Sequence, residues 1–321
     1  MNFLKKGLLF LGAFTLVGLL VNAVQVSVTE KPQAQQQITQ VDAKTEVVEV
    51  DTEDYNIYAL DLPTAFEFAG EAMPLHLPDI KERFDRELLV NTYWQSNGLL
   101  MIKRAHKYFP VIEAILEKNG VPDDFKYLAV IESGLTNARS PAGARGFWQI
   151  MKATGKEYGL EVNSNVDERY HLEKATEVAC KYLKKSKARF GSWTLAAAAY
   201  NAGNAGVSRR LEDQQVNDYY DLLLGEETGR YVFRIAALKA IMSDPENYGF
   251  NFDEEHLYQY IPTDKVLVDS AVTNMASFAK RFGINYKTLK IHNPWLRENK
   301  LNNASGKAYY IAIPKEGYYS K

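Results

Sequence analysis

The sequence predicts a mainly α protein: one helical domain, then a small α+β module of strand, helix, helix, strand order. Apolar residues recur at helical spacing from about residue 79, and no convincing strand falls between 80 and 250. Asn-Gly and Gly stops, at Asn119-Gly120 and Gly134, cut that pattern into helix-sized pieces. The tail instead opens and closes on β-branched and aromatic runs, 264–268 and 308–313.

The elements follow in chain order. Residues 1–23 read as an export segment. Lys5 and Lys6 precede an apolar stretch from Gly7 to Val21, and Val21-Asn22-Ala23 offers compact residues for cleavage. The stretch is shorter than the ~20 residues that span a bilayer comfortably, so a cleaved signal is the first reading and an uncleaved membrane anchor the second. No cysteine follows it for a lipid anchor. Residues 24–78 read as a flexible tether and N-terminal extension. The first part is rich in Gln, Thr and Glu, and the part from 57 carries Pro63, Pro74 and Pro78 and packs irregularly onto the next unit.

The helical domain is expected over 79–250. Phe84, Leu88 and Leu89 share one face. Phe109, Ile112, Ile115 and Leu116 mark a helix with Pro110 in its first turn, stopped at Asn119-Gly120. Val121-Pro122-Asp123-Asp124 opens the next, which runs through Phe125, Leu128, Val130 and Ile131 and halts near Gly134. Further helices are expected over 172–190, 192–202 and 228–243. The tail module, 258–315, has strands at 264–268 and 308–313 and helices from Val272 to Phe282 and Tyr286 to His292.

Composition excludes several functions. With 321 residues, 46% of them apolar, the chain can bury one or two cores. A formal charge of −2 gives no basic footprint for nucleic acid, and loss of Lys5 and Lys6 with the export segment takes it to −4. One cysteine, Cys180, makes no internal disulfide and no cysteine zinc site. It lies in the apolar run Ala175, Val178, Ala179, Leu183 and reads as core. His76, His106, His171, His256 and His292 are scattered without metal-ligand spacing, so no metal and no cofactor are expected.

The chemical content concentrates in 131–151. Glu132 closes an apolar helix beside Val130 and Ile131. A carboxyl held against apolar surface stays protonated nearer to neutral pH and can act as a general acid. Gly134 ends the helix. Ser140, Gly143, Ala144 and Gly146 form a loop of small residues that lets a bulky ligand approach the backbone. Trp148 and Gln149 offer an aromatic face and an amide, a pair suited to a sugar. A second cluster, Ala197-Ala198-Ala199-Tyr200-Asn201-Ala202-Gly203, ends a close-packing helix with a phenol and an amide. A third is Glu227-Thr228-Gly229-Arg230-Tyr231-Val232, with Thr228 a candidate N-cap.

These three clusters, in this order and spacing, resemble the soluble lytic transglycosylase family, most closely its membrane-bound D-type branch, over roughly residues 85–245. The resemblance implies a catalytic domain with the lysozyme-like fold of the goose-type enzymes. It implies that Glu132 is the catalytic residue, and that Ser140, Gln149, Tyr200, Asn201, Glu227 and Tyr231 line the groove or orient the sugar. The chain departs from the family pattern in the short Glu132-to-Ser140 segment, Lys152, Ser192 and Gly229. The tail resembles a degenerate LysM module closing on Ile313-Pro314, without the usual opening at Asp269-Ser270-Ala271-Val272.

Most glycosidases flank the scissile bond with two carboxylates, and no second one is signalled beside Glu132. The resemblance implies the route that needs only one. Peptidoglycan glycan strands are the expected partner, the cell envelope, periplasmic, the expected location, and 1,6-anhydro-muramyl ends the expected product. A lysozyme-type hydrolase on the same fold and a non-catalytic wall-binding protein are the competing readings.

Overall fold

The computed structural model describes residues 57–319. The export segment and the stretch 24–56 lie outside the described residues. Among the described residues, no helix is long and apolar enough to cross a membrane.

The first element is a hairpin, β1 (Glu67–Phe68) against β2 (Glu71–Ala72), paired Glu67 to Ala72 and Phe68 to Glu71. Its two-residue turn, Ala69-Gly70, has both φ angles positive, at 55° and 75°, as a tight hairpin of this length requires. Phe68 is fully buried and meets the edge of Phe125 at 5.2 Å. The segment from 57, expected to pack irregularly, thus carries a hairpin anchored in the core.

Eight helices follow: α1 (Pro78–Tyr93), α2 (Gln95–Asn119), α3 (Lys126–Ser133), α4 (Lys152–Glu157), α5 (Leu172–Phe190), α6 (Trp193–Ala202), α7 (Asn204–Gln214) and α8 (Glu226–Ser243). The mainly α expectation holds. Pro110 was expected in a first turn, but α2 begins at Gln95 and Pro110 lies inside it. The apolar positions Met101, Ile102 and Ala105 continue the buried stripe of Ile112 and Leu116, so packing of the long helix outweighs the one backbone donor that proline lacks. α4 and α7 were not foreseen. α7 buries only Val207, too little for an apolar period to show.

α8 is the central helix and packs against α1, α3 and α6. Close approach to α6 is natural, because Ala196 to Ala199 are all fully buried and present almost no side chain. α1 is pinned to α8 by the buried Glu87, whose carboxylate accepts from Arg230 Nε at 2.6 Å and from Arg86 at 2.6 Å. A buried carboxylate needs such partners. Gly229, one of the departures from the family pattern, has its carbonyl taken by Arg83 and by the Tyr219 hydroxyl. A Cβ there would stand 3.0 Å from the Arg83 guanidinium.

Ser192, another departure, is the N-cap of α6, its oxygen accepting from Leu195 N at 3.2 Å. The carboxylate that the family commonly has at this position comes from elsewhere. Glu71 of β2 accepts from Ser192 Oγ, Trp193 N, Thr194 N and Thr194 Oγ1 at 2.6–2.8 Å. Partial burial works to raise the Glu71 pKa, but those bonds outweigh it and hold the carboxyl at about 2. Cys180 is fully buried, and burial pushes its thiol up to about 12, in keeping with a core role.

The tail holds β3 (Thr263–Val268), α9 (Met275–Lys280), α10 (Tyr286–His292) and β4 (Tyr309–Pro314). The strands pair antiparallel, from Thr263 with Pro314 to Val268 with Tyr309. α9 starts later than the expected Val272, because Val272 is bridged to Leu301 and Asn274 caps the helix by accepting from Ser277 N.

The tail, which reads in sequence as a small separate module, is not separate. Its core of Met275, Phe278, Leu289, Leu296 and Ile311 includes Val166 and Tyr170 from the helical part. Asp167 N donates to Trp295 O and Arg297 N to Asn165 O, both at 2.9 Å. The Asn165 side chain donates to Lys300 O and accepts from Asn302 N, each at 2.8 Å. Few apolar residues in 161–171 advertise this docking, in which backbone bonds and the Asn165 side chain join the apolar contacts of Val166 and Tyr170.

Candidate active site

Glu132 sits in the last turn of α3, which ends at Gly134. The helix buries Leu128, Ala129 and Val130, so the carboxyl leaves the helix from an apolar base. Its Oε1 accepts a short hydrogen bond from the hydroxyl of Tyr231 on α8, and Tyr231 is only 2% exposed. Burial pushes the Glu132 carboxyl up to about 6. The Tyr231 bond and the Arg234 guanidinium pull against that rise, and the Glu227 carboxylate adds to it. Tyr231 and Tyr200 are themselves held far above the ordinary phenol range, first by burial and then by the nearby Glu132 charge. Both phenols therefore remain protonated and act as hydrogen-bond donors.

Glu227, Tyr231 and Arg234 lie at i, i+4 and i+7 on α8 and share one face. The exposed Glu227 accepts from Asn201 Nδ2 at 3.1 Å. Thr228 was expected to cap the helix, but α8 begins two residues earlier, after Gly225. Its hydroxyl instead donates to Asn201 Oδ1 at 2.7 Å. Asn201 is held at both ends of its amide by α8, which fixes its orientation at the end of α6. Tyr200, beside it, donates its hydroxyl to Trp148 O at 2.8 Å.

The loop after Glu132 is stitched from within. Ser133 Oγ donates to Ala129 O and to Phe147 O at 3.1 and 2.9 Å, tying α3 to the far side of the loop. Ser140 Oγ accepts from Ala144 N at 3.0 Å and holds a turn. Gln149 adopts a left-handed φ of 43°, and its side-chain nitrogen donates to Gly146 O at 2.8 Å and Ala138 O at 3.3 Å. Ser140 and Gln149 therefore shape the loop through bonds within it. The expected aromatic face of Trp148 is a correction. Trp148 is fully buried and spends its Nε1 donor on Thr176 at 2.8 Å, so it offers no face to a sugar.

Three arginines of the site were missed. Arg234 could have been found from its helical spacing to Tyr231. Arg104, which donates to Gly134 O at 3.0 Å, is remote in sequence and carries no local signal. The buried Arg169 donates to Gly143 O at 3.1 Å and Ile150 O at 3.2 Å, and pairs with Asp167 at 2.7 Å. It braces both ends of the small-residue loop. Gly146 fits beneath it because a Cβ there would stand 2.1 Å from Arg169 O.

Among the described residues, the one acid and imidazole group close enough to share a cation is Asp253, Glu255 and His256. All three are exposed, and His256 Nδ1 already accepts from Asp253 N.

Residues 109–222 match the family model for the Transglycosylase SLT domain. Residues 264–317 match that for the Soluble lytic transglycosylase C-terminal LysM-like domain. The first matched stretch contains Glu132, its loop, Tyr200 and Asn201. The chain is similar to the Membrane-bound lytic murein transglycosylase D of Escherichia coli strain K12, 29% identical over 261 residues, 78% of this chain and 55% of that protein. It is also similar to a Putative tributyltin chloride resistance protein of an Alteromonas species, 30% identical over 112 residues, 34% of this chain and 54% of that one. The chain thus spans about half the length of the curated relatives it matches. Among solved structures, an inactive mutant of the lytic transglycosylase Slt from Pseudomonas aeruginosa aligns with a TM-score of 0.37 at 22% identity, over 47% of this chain and 26% of that one.

Proposed function

We propose that this protein is a lytic transglycosylase that cuts peptidoglycan glycan strands between N-acetylmuramic acid and N-acetylglucosamine. The observation that carries the proposal is the state of Glu132: a carboxyl poised near pH 6, bonded by Tyr231, within a domain that matches the transglycosylase family. A general acid works best with a pKa near the working pH.

The steps follow from that one group. Protonated Glu132 gives its proton to the glycosidic oxygen, and the C1–oxygen bond breaks. The C6 hydroxyl of the same muramyl residue then attacks C1 as the Glu132 carboxylate takes its proton. The new C6–O–C1 bond closes a 1,6-anhydro ring, Glu132 is again protonated, and no water is consumed. Tyr231 holds and orients the carboxyl, while Asn201 and Glu227 form a polar edge for sugar hydroxyls. Tyr200 supports that edge through the Trp148 carbonyl. Ser140 and Gln149 act by holding the loop against which the sugar lies.

The N-terminal segment fits export to the cell envelope, released in the periplasm or retained by an uncleaved anchor. The test is digestion of purified wall sacculi. The wild type releases anhydro-muropeptides, and Glu132→Gln lowers that release by at least the ~10²–10⁴-fold typical of a general acid-base group. Near-normal release by the variant refutes the assignment.

A hydrolytic reading has one observation in its favour. Glu227 is close enough to Glu132 to raise its pKa, so a second carboxylate borders the site. Its tie to Asn201 at 3.1 Å favours a binding role over activation of water.

A further inference from the structure

Between the helical domain and the C-terminal module lies a cleft of about 470 Å³ that the mechanism above does not use. One wall is helical: Lys107 and Tyr108 of α2, with His171 and Glu173 at the start of α5. The other belongs to the module, with Lys265, His292 and the exposed rings of Tyr260 and Tyr310. Asn137 and Phe147 also border it, and both belong to the loop that follows Glu132. Phe147 is the residue whose carbonyl accepts from Ser133, next to Glu132 in the chain. The cleft therefore adjoins the proposed catalytic loop.

Its charge is unbalanced. Glu173 is the one carboxylate on its walls, and it is engaged by His171 Nδ1 at 3.1 Å, with Lys265 adding a further attraction. Lys107 is left over. Among the described residues no carboxylate pairs with it, and its ammonium lies over the Tyr108 ring at 5.2 Å. Burial lowers the pKa of Lys107, and burial together with the Lys107 charge lowers that of His292 across the cleft. A half-buried ammonium facing an imidazole without an anion is costly unless a ligand supplies one. This occurs in a chain of net negative charge, so the positive cleft is a local feature.

We infer that this cleft binds the short carboxylate-bearing peptide branch of the glycan strand being cut, with Lys107 as its principal anion contact and Tyr260 and Tyr310 as flanking apolar surfaces. The inference rests on the proposed function for its choice of ligand. Glycan stripped of peptide keeps one carboxylate per disaccharide, on the short lactyl arm at the sugar ring, whereas the peptide carries its carboxylates away from the ring, as a cleft set beside the loop rather than in it requires. The peptide carboxylates fit it, and the adjoining loop lets one strand reach both sites.

The test compares peptide-bearing strands with strands stripped of peptide by an amidase, for the wild type and for Lys107→Gln. The wild type should show a KM about tenfold lower on peptide-bearing strands, the size of one charge-assisted hydrogen bond. Lys107→Gln should erase most of that preference and leave cleavage of stripped strands unchanged. A parallel titration uses a fluorescent alanyl-glutamyl peptide on the intact protein and does not depend on turnover. There Lys107→Gln should weaken binding about tenfold, and Lys107→Glu should weaken it further. Equal preference or equal peptide binding in wild type and both variants overturns the inference. Peptide binding without cleavage of either strand supports the cleft and counts against the proposed activity instead.

Discussion

Glu132 carries two opposing influences, and their balance sets how it works. Burial raises its pKa, while Tyr231 and Arg234 lower it, with the result near 6. A general acid must be protonated, so kcat/KM should fall as pH rises through that value. Tyr231→Phe removes a bond that stabilises the charged carboxylate, so the falling limb should move to higher pH. A pH–rate profile of the variant checks this, and a limb that stays or moves lower contradicts the role assigned to Tyr231. The placement of Glu132 was legible because its signals are local: an apolar helix, a glycine stop and a run of small residues within a few positions. The misreading of Trp148 has a physical cause. A Trp-Gln pair in sequence does not say which side chain faces the groove, and here the core takes the indole through Thr176.

At the scale of elements, the helices that shape the site were legible wherever one face is strongly apolar, as in α5, α6 and α8. What escaped was the long-range bonding that orients them. Glu71 is 121 residues from Ser192, yet it closes the N-terminus of the helix that ends in Tyr200 and Asn201. No local pattern predicts that pairing. Its folded pKa, about 2, lies below the usual 4.5, so its contribution to stability is complete above pH 4.5 and lost as pH falls toward 2. Glu71→Ala should cost about 1–2 kcal/mol near neutral pH, the range of a lost helix cap. In urea unfolding the gap from wild type should narrow between pH 4.5 and pH 3. A gap that does not change with pH contradicts the capping role. The Thr228 expectation failed for a related reason, since its hydroxyl found Asn201 on another helix rather than its own backbone.

At the scale of the molecule, the helical domain and the tail share apolar core and backbone bonds. The order of the tail elements could be read from β-branched runs and asparagine caps, but its docking could not, because the groups that join Val166 and Tyr170 in it, Asn165 and the main chain of 165–167, form no local pattern. The same docking leads back to the site. Asp167 bonds Trp295 of the tail through its N–H and Arg169 through its carboxylate, and Arg169 holds the loop after Glu132 at Gly143 and Ile150. Heat capacity measurements should therefore show one cooperative unfolding transition for the two parts. Asn165→Ala should lower its midpoint, costing about 1–3 kcal/mol for the buried groups left unpaired. Two transitions in the wild type would mean that the parts fold independently and that the tail does not brace the loop.

The central claim is that Glu132 closes a ring within the muramyl sugar instead of delivering water to it. Digestion of wall sacculi in water enriched in heavy oxygen, followed by mass analysis of the new muramyl ends, tests this most directly. The account predicts ends that are one water lighter than a hydrolysed sugar, carry no heavy oxygen, and are missing from the Glu132→Gln digest. Heavy oxygen at C1 of the released muramyl ends would contradict it and would make the protein a hydrolase.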